Sequence, residues 1–197
     1  MMAEFLADCR RKSRTETMPT LQLLQLIAAS PGLKALLGYR LGRHLLLLQT
    51  QRRQPLLRPF GWLLYWLISG YVRLALDIRL DLSADIGAGL YIGHFGNIVV
   101  RQCKLGDNCS IAQSVHIEPA NTESSNEGST ESSSSGPTIG DRVWIGGHAK
   151  IIGAYQIGDR STVGAGAVVK RDIPSGALFM GNPGRVVMSD YDNSDIL

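Results

Sequence analysis

Aliphatic residues recur at every sixth position in the second half of the chain. Leu80, Ile86, Ile92 and Ile98 are followed, after a slip of one residue, by Leu105, Ile111 and Ile117. Beyond a long insertion come Ile139, Ile145, Ile151, Ile157, Val163 and Val169. A period of six matches neither the 3.6 of an α-helix nor a heptad. It is the sign of a parallel β-helix, in which each hexad supplies a short strand and a turn, three hexads close a triangular coil, and each coil buries its neighbour's apolar layer. Gly often follows the aliphatic residue, as at Gly87, Gly106, Gly140 and Gly158, where it tolerates the turn backbone. A small or aliphatic residue often stands four positions after it, as at Ala84, Val115, Val143, Ala149, Ser161 and Ala167, and fits a tight corner. The spacing therefore predicts a mainly β protein of about four coils.

Before residue 80 the period is different. Leu21, Leu24, Ile27 and Ala28 repeat at helical spacing, as do Leu33, Leu36, Leu37, Tyr39 and Leu41 after the Ser30-Pro31-Gly32 breaker. Another apolar run follows Pro55. Three regions result: an N-terminal helical region over 1–78, a β-helix over 79–187 and a C-terminal tail over 188–197. Residues 120–136 (ANTESSNEGSTESSSSG) hold no large apolar side chain and read as a mobile Ser-rich loop, either a tolerated surface insertion or one overhanging a site between subunits.

Charge separates the same two halves: residues 1–80 carry +8 and residues 81–197 carry −5. A basic half suits an anionic surface, but no nucleic-acid-binding motif accompanies it, so nucleic acid is not expected as a partner. Pro59 to Val72 is a long uncharged, aromatic-bearing stretch of that half. Its 14 residues are too few for a spanning helix of about 20. It reads first as a helix packed between helices or subunits, and second as one resting on a membrane surface. The three cysteines, Cys9, Cys103 and Cys109, fit neither a zinc site nor a redox pair, and the N-terminus lacks a signal-peptide pattern. A cytoplasmic location is expected, peripheral to the inner face of the membrane if 59–72 meets lipid.

The segments IGAGLYIGHFGNIVV (86–100), CSIAQSVHI (109–117), TIGDRVWIGGHAKIIG (138–153), IGDRSTVGAGAVV (157–169) and GNPGRVV (181–187) resemble the serine acetyltransferase branch of the hexapeptide-repeat acyltransferases. The resemblance implies a left-handed coil, a trimer or pair of trimers with sites between neighbours, and acetyl-CoA as cosubstrate. It places His94 at the catalytic histidine. Histidine suits that role because acetyl transfer to an alcohol needs a base near neutral pKa to take the hydroxyl proton. It also implies that Gly147, Ala149, Gly164 and Ala165 line the pantetheine arm. Lys170, Arg171 and Arg185 are the basic residues placed to meet CoA phosphates.

The chain departs from that branch where the acceptor is held. Members carry Asp just before the catalytic histidine, and here Gly93 stands there. Their second histidine, on the loop before the TIGDRV-like segment, has no counterpart in the Ser-rich loop. The acid expected about fifteen positions upstream is replaced by Arg79, flanked by Asp77 and Asp81, and Asp81 is taken as the residue that orients His94. His94, His116 and His148 all face outward by register but lack the close pair of the γ-class carbonic anhydrases, so no metal is expected. With the donor side kept and the acceptor side changed, the expected function is acetyl transfer to a hydroxyl of a sugar or polysaccharide precursor. Serine acetylation for cysteine biosynthesis is the alternative, and a non-catalytic trimeric scaffold is the third reading.

Overall fold

The structure, a computed structural model, describes residues 2–13, 19–50, 58–93, 96–120 and 136–196. Residues 121–135 of the Ser-rich insertion and His94 itself lie outside them. Four helices come first: α1 (Met2–Ser13), α2 (Thr20–Ala29), α3 (Pro31–Thr50) and α4 (Arg58–Tyr71), the last continued by a π-helical turn, Val72–Leu76. A parallel β-helix follows, with three faces.

The first face stacks β1 (Ile78–Leu80), β4 (Ile98–Val100), β7 (His116–Glu118), β10 (Lys150–Ile152) and β13 (Val168–Val169). The second stacks β2 (Asp85–Ile86), β5 (Lys104–Leu105), β8 (Thr138–Ile139) and β11 (Gln156–Ile157). On the third, β3 (Tyr91–Ile92), β6 (Ser110–Ile111), β9 (Trp144–Ile145) and β12 (Thr162–Val163) lead to β14 (Leu178–Gly181), onto which β15 (Gly184–Met188) folds back antiparallel.

The inward positions are those of the hexads. Ile111, Ile117, Ile145, Ile151 and Val163 are all at most 1% exposed, and each stacks on its counterpart one coil away. Each buried aliphatic contributes about 1.5–3 kcal/mol. The small residues four positions on, including Val115, Ala149 and Ala167, are also fully buried.

The hexad count slips in one place. Leu80 and Ile117 are in register with Val100, not Ile98. The two residues of one strand face share an alternation, so Ile98 and Val100 are both fully buried. The extra length therefore falls in the turn between Ile92 and Ile98, which is the turn that carries His94.

The glycines after the aliphatics have a different cause from the one their position suggests. At the corner joining the second and third faces, the carboxylate of each Gly-Asp pair accepts a backbone N–H of the coil before it. Ala88 N–H donates to Asp107 (2.7 Å), Asp107 N–H to Asp141 (2.8 Å) and Asp141 N–H to Asp159 (2.9 Å). A Cβ on Gly87, Gly106 or Gly140 would collide with that carboxylate. The left-handed backbone is taken by the neighbours Asn108, Arg142 and Arg160 instead.

The helices close the open end of the coil. An unpaired strand row at the first coil would leave N–H and C=O groups without partners. Tyr39 of α3 donates its hydroxyl to Ala84 O (2.8 Å) and accepts from Ile86 N–H (3.1 Å). Arg40 donates to the carbonyls of Ile86 and Gly87, and its Nε to Asp8 Oδ2 at 3.2 Å. Asp8 of α1 in turn accepts Leu90 N–H (2.9 Å). Asp8 is wholly buried and Arg40 4% exposed. Burial pushes the Asp8 carboxyl above its ordinary value, against the opposing pull of Arg40.

Not every helix is covered. Buried residues are lacking in α2, where Leu21 and Leu24 face out, and α4 exposes Phe60, Leu63, Trp66 and Leu67. α4 packs one face on α3, where Ile68 meets Gly38 and Gly61 meets Leu45, and its other face is uncovered within the single chain. Among the described residues no single helix is long and apolar enough to cross a membrane, although α2 and the first part of α3, bent by 104°, pass that test of length and composition together.

Replacing Arg40 by Ala would strand the buried Asp8 and two carbonyls. We expect a loss of about 3–5 kcal/mol in unfolding free energy, read from urea melts. A loss below about 1 kcal/mol, the range of an exposed pair, would show that the helical cap is not needed to hold the first coil.

Candidate active site

The turns joining the third face to the first lie one above another along a single edge. Their described residues are 93, 96 and 97, then 112–115, 146–149 and 164–167. Backbone bonds tie them together: Ser114 N–H to Gly96 O (3.0 Å), His148 N–H to Gln113 O (2.9 Å) and Gly166 N–H to Gly147 O (2.8 Å). Asn97, Ser114, His148 and Gly166 each take the left-handed conformation at the equivalent point. Gly96, two residues after His94 in the sequence, therefore belongs to one edge with Gly147, Gly164 and Ala165.

His94 is bracketed by Gly93 and Gly96. Gly96 has φ +106°, which a side chain rarely adopts, so glycine is required there. Gly93 is different: a Cβ on it would meet Tyr91 at an ordinary 3.4 Å. The missing Asp is thus not excluded by space.

The acid that reaches this turn is Asp77. Its carboxylate accepts Asn97 N–H (3.1 Å), and its carbonyl accepts Ile98 N–H (3.1 Å). Asp81 stands at the opposite end of β1, where its carboxylate accepts Ser83 N–H at 2.9 Å. It shares the wall of a cavity of about 430 Å³ with Asn97. Sequence reasoning singled out Asp81 because both acids flank Arg79; only the placement of β1 separates them.

The cofactor residues divide as well. Ala149 is buried with its side chain inside the coil, its N–H bonded to Gly146 O and its carbonyl to His116 N–H. Both backbone groups of Gly164 are also engaged, with Phe179 O and Ala167 N–H. Neither has a backbone group free for a pantetheine arm. Gly164 is one coil on from Gly146, and the counterpart of Gly147 is Ala165, which is exposed. Gly147 is buried, its carbonyl accepts Gly166 N–H, and a Cβ on it would press to 3.1 Å on Gln113 Nε2, so only a residue without a side chain fits there unless Gln113 moves. Of the four, Ala165 is the exposed one, and Gly147 stacks beside it one coil before. Arg185, exposed on β15, is in register with Met180, whose side chain borders Gly164, and so lies beside this edge. Lys170 lies at the far end of β13, and Arg171 follows it.

Sequence reasoning missed the role of His116. Its Nε2 faces Asn97 Oδ1 at 3.3 Å and its Nδ1 faces Glu118 Oε1 at 3.5 Å. The alternation of β7 around inward Ile117 already put both side chains outward. The signal lacking was that the first face is partly roofed by α4 and the π-helical turn. Among the described residues, no group of three or more His, Cys, Asp or Glu side chains gathers as a metal site.

Comparison with known proteins follows the same lines. Residues 136–171 match the family described as bacterial transferase hexapeptide (six repeats). Its repeat is that of the left-handed coil, the hand assigned to this β-helix. A serine acetyltransferase of Synechococcus elongatus is 31% identical over 83% of this chain and 60% of its own length. One of Mycobacterium tuberculosis is 30% identical over 95% of this chain and 73% of its own. The solved structure of soybean serine acetyltransferase complexed with serine superposes with a TM-score of 0.68 at 28% identity, covering 94% of this chain and 68% of that one. The chain thus spans less than two thirds of the length of the Synechococcus relative.

All three thiols are buried, and burial pushes Cys9 and Cys109 up to about 11 and Cys103 to about 12. A thiol raised above its ordinary value near 9 favours the folded state below pH 9 and loses that contribution as pH climbs toward the folded value. Unfolding free energy should accordingly fall between pH 9 and 12. The native protein should not react with a thiol reagent at pH 8, whereas the urea-unfolded chain should release three equivalents; rapid native labelling would refute the burial.

Proposed function

Since the chain belongs to the serine acetyltransferase branch of the hexapeptide-repeat acyltransferases, we propose that it is an acetyl-CoA-dependent O-acetyltransferase. The observation that carries this reading is the single edge on which Gly96, two residues after His94 in the sequence, stacks with Gly147 and the exposed Ala165. Acetyl-CoA supplies an activated acetyl group as a thioester, and Gly147, Ala165 and Arg185 are the residues placed to hold it. His94 takes the proton from the acceptor hydroxyl as its oxygen attacks the acetyl carbonyl carbon; the C–S bond then breaks, the proton passes to the departing CoA sulfur, and Asp77 bonds the Asn97 N–H beside this turn. Buried thiols leave no cysteine nucleophile among these residues, so transfer is direct.

Serine is the better-supported acceptor. The relatives and the soybean structure are named for it, and none of those reported is named for a sugar substrate, which turns the first expectation toward its alternative. Gly93 and Arg79 still set this acceptor side apart from the branch. A trimer with the site between neighbours goes with the same reading and is tested by light scattering on the purified protein.

CoA release with serine against a panel of neutral sugars is the direct test; release with sugars alone would return the acceptor to the sugar reading. His94→Ala should lower turnover by about 10²–10⁴. Asp77→Asn should lower kcat with an unchanged acetyl-CoA KM, whereas Asp81→Asn should leave kcat nearly intact; the reverse order would make Asp81 the orienting acid. Gly93→Asp should fold normally, given the space at that position, and raise turnover with serine.

A further inference from the structure

The stretch between Glu16 and Asp77 contains no acidic residue, yet seven Lys or Arg residues stand in it. Arg40 and Arg43 are engaged within the chain, with Glu4, Asp8 and Asp85. Arg73 is exposed and makes no ion pair among the described residues.

The uncovered face of α4 lies in this stretch. Phe60, Leu63, Leu64, Leu67 and Tyr71 follow one another in steps that keep to one side of a helix. All five are exposed, Phe60 at 73%, and Trp66 flanks them at 70%. Leu74, in the π-helical turn, adds a further apolar side chain at 88%. The opposite face is committed to α3, with Gly61 against Leu45, Tyr65 against Gly42 and Ile68 against Gly38. Lys34 of α3 stands over the Tyr71 ring, its Nζ 5.9 Å from the centroid, and Arg73 follows Tyr71 by two residues. Cations therefore border the apolar stripe at its C-terminal end.

A contiguous stripe of this kind marks a binding surface, unlike apolar residues scattered singly. Its chemistry selects the partner. From Phe60 to Tyr71 it runs about 17 Å. That is too short to cross a hydrocarbon core of about 30 Å, and one side of the helix stays on α3. In the plane of a bilayer, however, the leucines lie below the headgroups. The Trp66 and Tyr71 rings sit at the interface that suits their polar edges, and Lys34 and Arg73 meet lipid phosphates. A second copy laid on the same face about a two-fold axis would instead oppose two basic, acid-free segments.

We propose that the outer face of α4 docks flat on the surface of an anionic lipid bilayer. The contact is a property of the helical region and is independent of the acetyl-transfer reading.

The full chain is sedimented with vesicles of phosphatidylcholine and with vesicles of equal parts phosphatidylcholine and phosphatidylglycerol. It should pellet with the mixed vesicles, pellet weakly with the neutral ones, and be released in part by high salt. Tryptophan emission should shift to the blue on binding, and Trp66→Phe should remove most of that shift while pelleting persists. The double variant Phe60→Gln/Leu67→Gln should lower vesicle affinity about tenfold or more. Arg73→Gln should lower it about fivefold, and for the anionic vesicles alone. Ile196→Gln, at an exposed apolar residue far along the chain, should leave it unchanged. Circular dichroism melts establish that each variant is folded. Absence of pelleting with the mixed vesicles, or pelleting that the double variant leaves intact, would overturn the proposal. A doubled mass in light scattering that the double variant abolishes, without vesicle binding, would overturn it in favour of a contact between copies. Binding is read without turnover, so failure here is distinguishable from failure of the acetyl-transfer reading.

Discussion

A stack of parallel coils cannot end without exposing a row of backbone groups, and the structure depends on how that row is closed at its first coil. Tyr39, Arg40 and Asp8 take the N–H and C=O groups between Ala84 and Leu90 one by one. The helical region is therefore part of the β-helix in energetic terms, because its side chains complete hydrogen bonds that a further coil would otherwise make. The same docking sets the π-helical turn and α4 over the first face and so creates the cavity beside the His94 turn. Fold and site are coupled through one buried ion pair whose partners lie on α1 and α3.

Much of this was legible in the chain. The hexads fixed which residues point inward, and the small residues at the corners were found as spaced. The count failed at Ile98 because period six cannot see a strand with two inward residues: Ile98 keeps the spacing from Ile92, yet Val100 holds the stacked position. Glycine after the aliphatic residue was visible, but not its cause. That lies in a carboxylate one coil away, which no local reading of Gly106 reveals.

The site was legible where it is local and opaque where it is tertiary. Exposed Ala165 follows from motif and register, while Ala149 and Gly164 share the motif yet spend their backbone groups within the coil. Asp77 and Asp81 are indistinguishable beside Arg79 in the sequence and sit at opposite ends of β1 in space. Arg73, Arg79 and Arg101 come from separate elements, so nothing along the chain announces that they share one cavity.

The long insertion enters and leaves at a corner. Ile117 is already paired with Val100 before it, and Thr138 and Ile139 rejoin in register with Lys104 and Leu105 after it. The stack on either side is therefore indifferent to how many residues lie between. Such a junction separates what must be conserved in length from what is free to lengthen, shorten or change composition. New recognition elements can be accommodated there through successive generations without renegotiating a single layer of the core.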